Sequence, residues 1–176
     1  MKLKKIILLA IIIAAVYFFY WNLDFNAANQ KLKTLDAKYL NGIMPIEEKS
    51  SEYKTALGLL KNEFAVKGPS TEKNALFALI GMRLKTVELI DYQKAVDAQY
   101  KLNGFGVDCT SKEFSDLLFA YDNLNSEINA IITMVSNFEK SYSQYKNNEY
   151  VKDLKDSMSN ILKGIENQKE AIKQYC

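Results

Sequence analysis

The sequence predicts an all-α protein: a single N-terminal transmembrane helix, then an antiparallel bundle of four to five long helices with coiled-coil-like packing. Three observations predict it. The chain opens with Ile6–Trp21, an uncharged apolar run without Gly or Pro. Beyond that run, apolar residues recur at alternating steps of 3 and 4, the spacing of a helical seam that faces a partner helix. Only two prolines occur, Pro45 and Pro69, and the seven glycines fall mostly where helices could end.

Crossing a hydrocarbon core of about 30 Å takes about 20 helical residues. Adding Leu3, Leu23 and Phe25 to the strict run brings it into range, with the flanking lysines snorkelling outward. Lys2, Lys4 and Lys5 lie on one side; Tyr17, Phe18, Phe19, Tyr20 and Trp21 cluster at the other. Lysines stay on the cytoplasmic side and amphipathic rings favour the headgroup level, so Lys4, Lys5, Tyr17, Tyr20 and Trp21 become the expected membrane-interface residues. Residues 1–5 are then a cytoplasmic flank, 6–23 a single-pass anchor in the cell membrane, and 24–176 extracytoplasmic. A cleaved signal peptide is the rival. It requires small residues at a cleavage site, whereas this run ends in bulky aromatics, with Phe25 and Asn26 before the first small pair.

Five helices are expected outside, over about 24–41, 45–67, 71–103, 111–146 and 149–175. In the first, Phe25, Ala28, Leu32, Leu35 and Tyr39 form one face, read as a stalk continuous with the anchor and stopping at Asn41-Gly42, where glycine can close a helix. Pro45 suits the first turn of the second, with Glu47 and Glu48 near its positive end. Ile46, Tyr53, Leu57, Leu60 and Phe64 face inward, and Lys67-Gly68-Pro69 ends it. Ser70 or Thr71 caps the third, whose dense patch Ala75–Ile80 and irregular heptad suggest burial on more than one side.

Thr110 and Glu113 have the spacing of a capping box for the fourth helix. Its seam is the cleanest in the chain: Phe114, Leu117, Tyr121, Leu124, Ile128, Ile131, Val135, Phe138, Tyr142 and Tyr145. The fifth repeats the pattern through Val151, Leu154, Met158, Ile161, Ile165, Ile172 and Tyr175, broken at Gln168. The two seams are out of phase by two residues at Lys146–Glu149, which predicts a turn and an antiparallel hairpin. That hairpin brings Cys109 toward Cys176, and in an oxidising exterior a disulfide is their natural use. The arms differ by roughly 13 Å at helical rise, a gap closed if the turn lies toward Ser141–Tyr145 or if residues 107–112 fold back. Two free thiols, or pairing between molecules, are the alternatives.

Composition narrows function mainly by exclusion. The chain carries 23 basic and 21 acidic residues; without Lys2, Lys4 and Lys5 the balance is 20 against 21, with the signs interspersed. No basic stripe suggests nucleic acid. Histidine is absent, which removes the commonest general base and a common metal ligand. Two cysteines cannot build a structural zinc site unaided. No nucleophile with a base and no phosphate loop occurs, so neither an enzyme nor a cofactor is expected.

Three residues stand out as a candidate buried polar or ligand site. Arg83, the sole arginine, lies among apolar residues and could clamp a carboxylate or phosphate bidentately. The plainer reading lays its stem along the helix with its head in water or paired to an acid. Gly58 and Gly81 interrupt helix middles at a cost of about 1 kcal/mol each, which close helix approach would explain. The tyrosines are expected on the seams with hydroxyls at the wet rim. The functional expectation is a membrane-anchored, non-enzymatic interaction or scaffold module. It binds lipid through its N-terminal helix and docks a protein partner or another copy of itself. The alternative is a sensor-like bundle that binds a small ligand and works through a partner.

Overall fold

The structure, a computed structural model, describes residues 11–16, 23–103 and 108–174. Its bundle comprises α1 (Phe25–Tyr39), α2 (Ser50–Ala65), α3 (Thr71–Asn103), α4 (Lys112–Ser141) and α5 (Glu149–Gln174). The chain is therefore all-α in character, with helices packed against one another as the stepped seams require. Among the described residues no helix is long and apolar enough to cross a membrane. Most of the expected span, with Lys4, Lys5, Tyr17, Tyr20 and Trp21, lies outside the described residues. Its middle, residues 11–16, is helical and leaves Ile11, Ile12, Ile13 and Val16 exposed.

The helix expected as a stalk, α1, does not run on from the apolar segment. Leu23 and Asp24 are non-helical, and Asp24 sits in extended backbone (φ −78°, ψ 102°). Its carboxylate accepts from the Ala27 N–H at 3.1 Å. A carboxylate that satisfies a free first-turn amide starts a new helix, and this cap separates α1 from what precedes it. Nor does α1 project into water: Phe25, Ala28, Leu32 and Tyr39 are buried in the bundle core.

A second departure follows α1. Leu40–Asn41 (β1) and Met44–Pro45 (β2) form a minimal antiparallel hairpin, pairing Leu40 with Pro45 and Asn41 with Met44. Gly42 has φ +64° and no other described residue has positive φ, as in a type II′ hairpin turn. Gly42 thus turns a hairpin instead of closing a helix. Pro45 ends the second strand, and a 3₁₀ turn at Glu47–Lys49 leads into α2.

α3 is the central helix. Ala75, Leu76, Leu79, Ile80, Met82, Val87, Leu89 and Ile90 are all buried, on more than one side, as its irregular heptad implied. Ser70 caps it, accepting from the Lys73 N–H at 3.1 Å. The α4 cap is Ser111, whose hydroxyl accepts from the Phe114 N–H at 3.1 Å, one residue beyond the expected Thr110. Thr110 is engaged elsewhere: its N–H and its hydroxyl both donate to Asp108 Oδ1, at 2.9 and 2.6 Å.

α4 buries Phe114, Leu117, Tyr121, Leu124, Ile128, Ile131, Val135 and Phe138, the stepped seam up to its last turn. Helix α4 stops at Ser141, Tyr142 takes a non-helical conformation (φ −130°), and a 3₁₀ turn at Ser143–Tyr145 begins the reversal. Placing the turn there makes the arms 30 and 26 residues long, nearly matched. α5 returns along α4 with Val151, Leu154, Met158 and Ile165 buried. Cys109 lies in the turn before α4; its expected partner Cys176 lies outside the described residues.

Candidate functional site

Arg83 is the largest fully buried side chain and the organising polar group of the bundle. Its guanidinium meets the Asp36 carboxylate bidentately: Nε donates to Oδ1 at 2.8 Å and Nη2 to Oδ2 at 2.5 Å. Nη1 donates to the Leu79 carbonyl one turn earlier, at 3.0 Å. The guanidinium carbon lies 3.6 Å from the centroid of the Tyr150 ring, a cation–π stack. Tyr53 completes the set, its hydroxyl donating to Asp36 Oδ1 at 2.6 Å. Thr86, also fully buried, donates to the Arg83 carbonyl at 2.8 Å.

Four helices each contribute one residue: Asp36 from α1, Tyr53 from α2, Arg83 from α3 and Tyr150 from α5. The backbone explains the convergence. Asp36 lies four residues after Leu32 and three before Tyr39, so it occupies the inward face of α1. Arg83 stands in the same relation to Leu79 and Thr86 on α3, both fully buried. Helical side chains lean toward the helix N-terminus, which brings the long Arg83 stem back toward the start of α5 and Tyr150.

The electrostatics follow from burial. Desolvation pulls the Arg83 guanidinium down, but hydrogen bonds to Asp36 and the surrounding charges outweigh it and leave it raised. Burial first, then the Asp36 charge, pushes the Tyr53 hydroxyl up. Burial likewise pushes Tyr150 up to about 12, against the lowering pull of Arg83. The Tyr150 hydroxyl is buried and forms no hydrogen bond. Both phenols are therefore neutral, and the cluster holds one cation against one carboxylate.

Of the expected site residues, Arg83 alone belongs to this cluster. Of the two placements that the plainer reading allows for its head, the structure shows the pairing to an acid, sealed from water. Close helix approach does not account for Gly58, because a Cβ there would meet nothing within 4 Å. At Gly81 a Cβ would lie 3.6 Å from Met134 Cε, an ordinary contact. The wet-rim reading fails for Tyr53 and Tyr150, which are buried. Sequence reasoning missed Asp36 and Thr86 altogether. A signal for Asp36 existed: from Leu32 to Tyr39 the 3–4 stepping can pass through Asp36 as well as through Leu35.

The Arg83 donors and the Asp36 carboxylate are engaged within the fold. Among the described residues no group of three or more Cys, Asp or Glu could hold a metal ion. An open groove of about 410 Å³ lies between α1 and α2. Leu35, Ala56, Leu59 and Leu60 line it, with Lys31 and Glu63 paired at its edge. Leu59 is 67 % exposed there. No family model, curated protein or solved structure matches this chain.

Proposed function

We propose that this protein is a membrane-anchored, extracytoplasmic interaction or scaffold module without catalytic activity, which docks a protein partner or a second copy of itself. One observation carries the reading: the buried Arg83 charge is answered by Asp36 inside the fold, so this cation is not left for an outside anion to pair. Large apolar side chains stand instead on the surface, Leu59 in the α1–α2 groove and Phe119, 66 % exposed, on α4. Exposed apolar surface rimmed by polar residues is the usual mark of a docking face. Membrane attachment is supported by the charge-free apolar run and by the exposed helical stretch Ile11–Val16.

A Cys109–Cys176 staple belongs to the same proposal. No cysteine among the described residues is free. Tyr121 stands opposite Gln168, and Asp122 opposite Lys169. That antiparallel register brings Gln174 level with Ser115, close to the turn that holds Cys109. By loop-closure entropy a bond there adds on the order of 4 kcal/mol.

Photo-crosslinkers at Leu59 and Phe119, introduced into the full chain in native membranes, test the docking reading. A discrete adduct with one protein or with a second copy, lost on Leu59→Glu or Phe119→Glu, supports it. Adducts to lipid alone at both positions would sink it. Alkaline extraction of the same membranes tests attachment, since an anchored chain stays in the pellet.

A further inference from the structure

α1 and α2 lie side by side and antiparallel, and their register is fixed at both ends. Lys31 pairs with Glu63, while the Tyr39 ring stacks on Tyr53 with centroids 5.4 Å apart. Leu35, one turn on from Lys31, is therefore level with Leu59, one turn before Glu63. Together with Ala56 they stand in the open groove between the two helices. Lys38 is level with Glu52: its ammonium is raised first by Tyr39 beside it and also by the Glu52 charge.

The two rims of this groove differ in sign. On α1 the row Lys31, Leu35, Lys38 carries no acid, since Asp36, the only carboxylate of that helix, turns inward to Arg83. On α2 the row Glu52, Ala56, Leu59, Glu63 carries no base. Lys54 and Lys61 leave α2 on other sides, Lys61 toward the Phe77 ring of α3 at 5.9 Å. The Lys31 and Glu63 side chains stay 54 % and 51 % exposed, and Lys38 and Glu52 are exposed as well. All four therefore keep bonding capacity toward a surface laid on the groove. An apolar centre thus lies between two charged rows, basic on one helix and acidic on the other.

We propose that the α1–α2 face docks on the same face of a second copy of this chain, about a two-fold axis parallel to the helices. This rests on the docking reading above and names its partner. Such an axis sets α1 of each copy against α2 of the other at the same height, an isologous contact. Lys31 then meets Glu63 of the second copy and Lys38 meets its Glu52, with Leu35 against Leu59 between them. A two-fold axis across the helices would instead lay α1 on α1 and bring lysine against lysine, which costs affinity. The charge pattern therefore selects the parallel axis. α1 is only about 22 Å long at helical rise, so the face is small beside stable interfaces and the dimer dissociates on dilution.

The test uses the full chain in detergent micelles, with donor and acceptor dyes on separate populations, and reads energy transfer as the protein-to-detergent ratio rises. Two charge-reversed chains are compared with the parent, Lys31→Glu/Lys38→Glu and Glu52→Lys/Glu63→Lys. The parent should show transfer that grows with the ratio. Each reversed chain alone should associate at least about tenfold more weakly, and a mixture of the two should recover the parent's transfer. Circular dichroism reports that each variant is folded. Leu59→Glu, at an exposed position, should abolish transfer by itself and serves if a reversed chain does not fold. No transfer by the parent at any ratio overturns the proposal, as does transfer that none of these changes alters, or folded reversed chains that stay apart when mixed. The docking reading survives that failure if the crosslinkers at Leu59 and Phe119 capture another protein, and falls with it if they capture lipid alone.

Discussion

The two halves of the bundle are held together by different physics. The α4–α5 hairpin is an apolar zipper: its inner positions are mainly Leu, Ile, Val, Phe and Met, joined by Ala120, Tyr121 and Tyr150, and the ion pairs Lys155–Glu139 and Lys169–Asp122 lie at its surface. Such exposed pairs contribute little. The α1–α3 half instead closes around a buried charge, Arg83 with Asp36, held by Tyr53 and stacked on Tyr150. The zipper gains from nearly every residue and tolerates small repacking. The charged cluster is all-or-none, because removing Asp36 strands a guanidinium sealed from water and removing Arg83 leaves a carboxylate that water reaches only in small part.

That contrast sets the largest expected effect. Arg83→Ala leaves Asp36 without its counter-ion, and Asp36→Ala leaves a fully buried guanidinium. Each should cost about 3–5 kcal/mol, seen as a fall in the urea midpoint. In the zipper, Ile131→Ala or Leu154→Ala should cost about 2–5 kcal/mol through cavity formation, and a refilling Met should restore most of it. Refilling by size alone should not rescue Arg83→Ala. If Arg83→Met alone proved as stable as the parent, the contrast would dissolve.

Smaller changes sharpen the comparison. Tyr53→Phe removes one hydrogen bond from Asp36 and keeps the bidentate pair, so it should cost about 1 kcal/mol. Gly58→Ala should stabilise by about 1 kcal/mol, because the added methyl meets open space in a helix interior. A loss of stability there would point to a contact outside the fold.

The cluster also predicts an alkaline response, to which Tyr121 on the α4 seam, raised by burial, contributes as well. Burial raises Tyr53, and raises Tyr150 to about 12, above the value near 10 that each has in the unfolded chain. For groups raised in the folded state, the stabilisation is complete below pH 10. It is lost as pH climbs from 10 toward 12, where the unfolded state gives up protons that the folded state retains. Denaturation midpoints should therefore hold steady up to about pH 10 and then fall. Tyr53→Phe should soften that fall, and an Ile131 variant should leave its shape unchanged.

The same division governs what could be read from the residues. α4 and α5 were legible because every stepped position but Gln168 is apolar, so spacing alone located the helices and the phase jump between them. The first half was harder. Asp24 as a cap looks like any polar residue after an apolar run, and the stepped face beyond it suggested a continuous rod. Asn41-Gly42 signals a helix stop and a hairpin equally well, and only the pairing of Leu40 with Pro45 decides. Arg83 was conspicuous as the sole arginine, but its partner lies 47 residues away on another helix. Asp36 is masked by Leu35 beside it, and Tyr150 by Val151. A buried charge breaks the binary pattern at both of its ends, and the two breaks make sense only together.

The account rests on Arg83 and Asp36 forming a structural pair that nothing outside the fold completes. The most direct test replaces both at once with apolar residues, Arg83→Met with Asp36→Leu, and compares urea denaturation of the double variant, both single variants and the parent. The account predicts that each single change loses about 3–5 kcal/mol and that the double change returns to within about 1 kcal/mol of the parent. A double variant as unstable as either single one, or less stable, would contradict it.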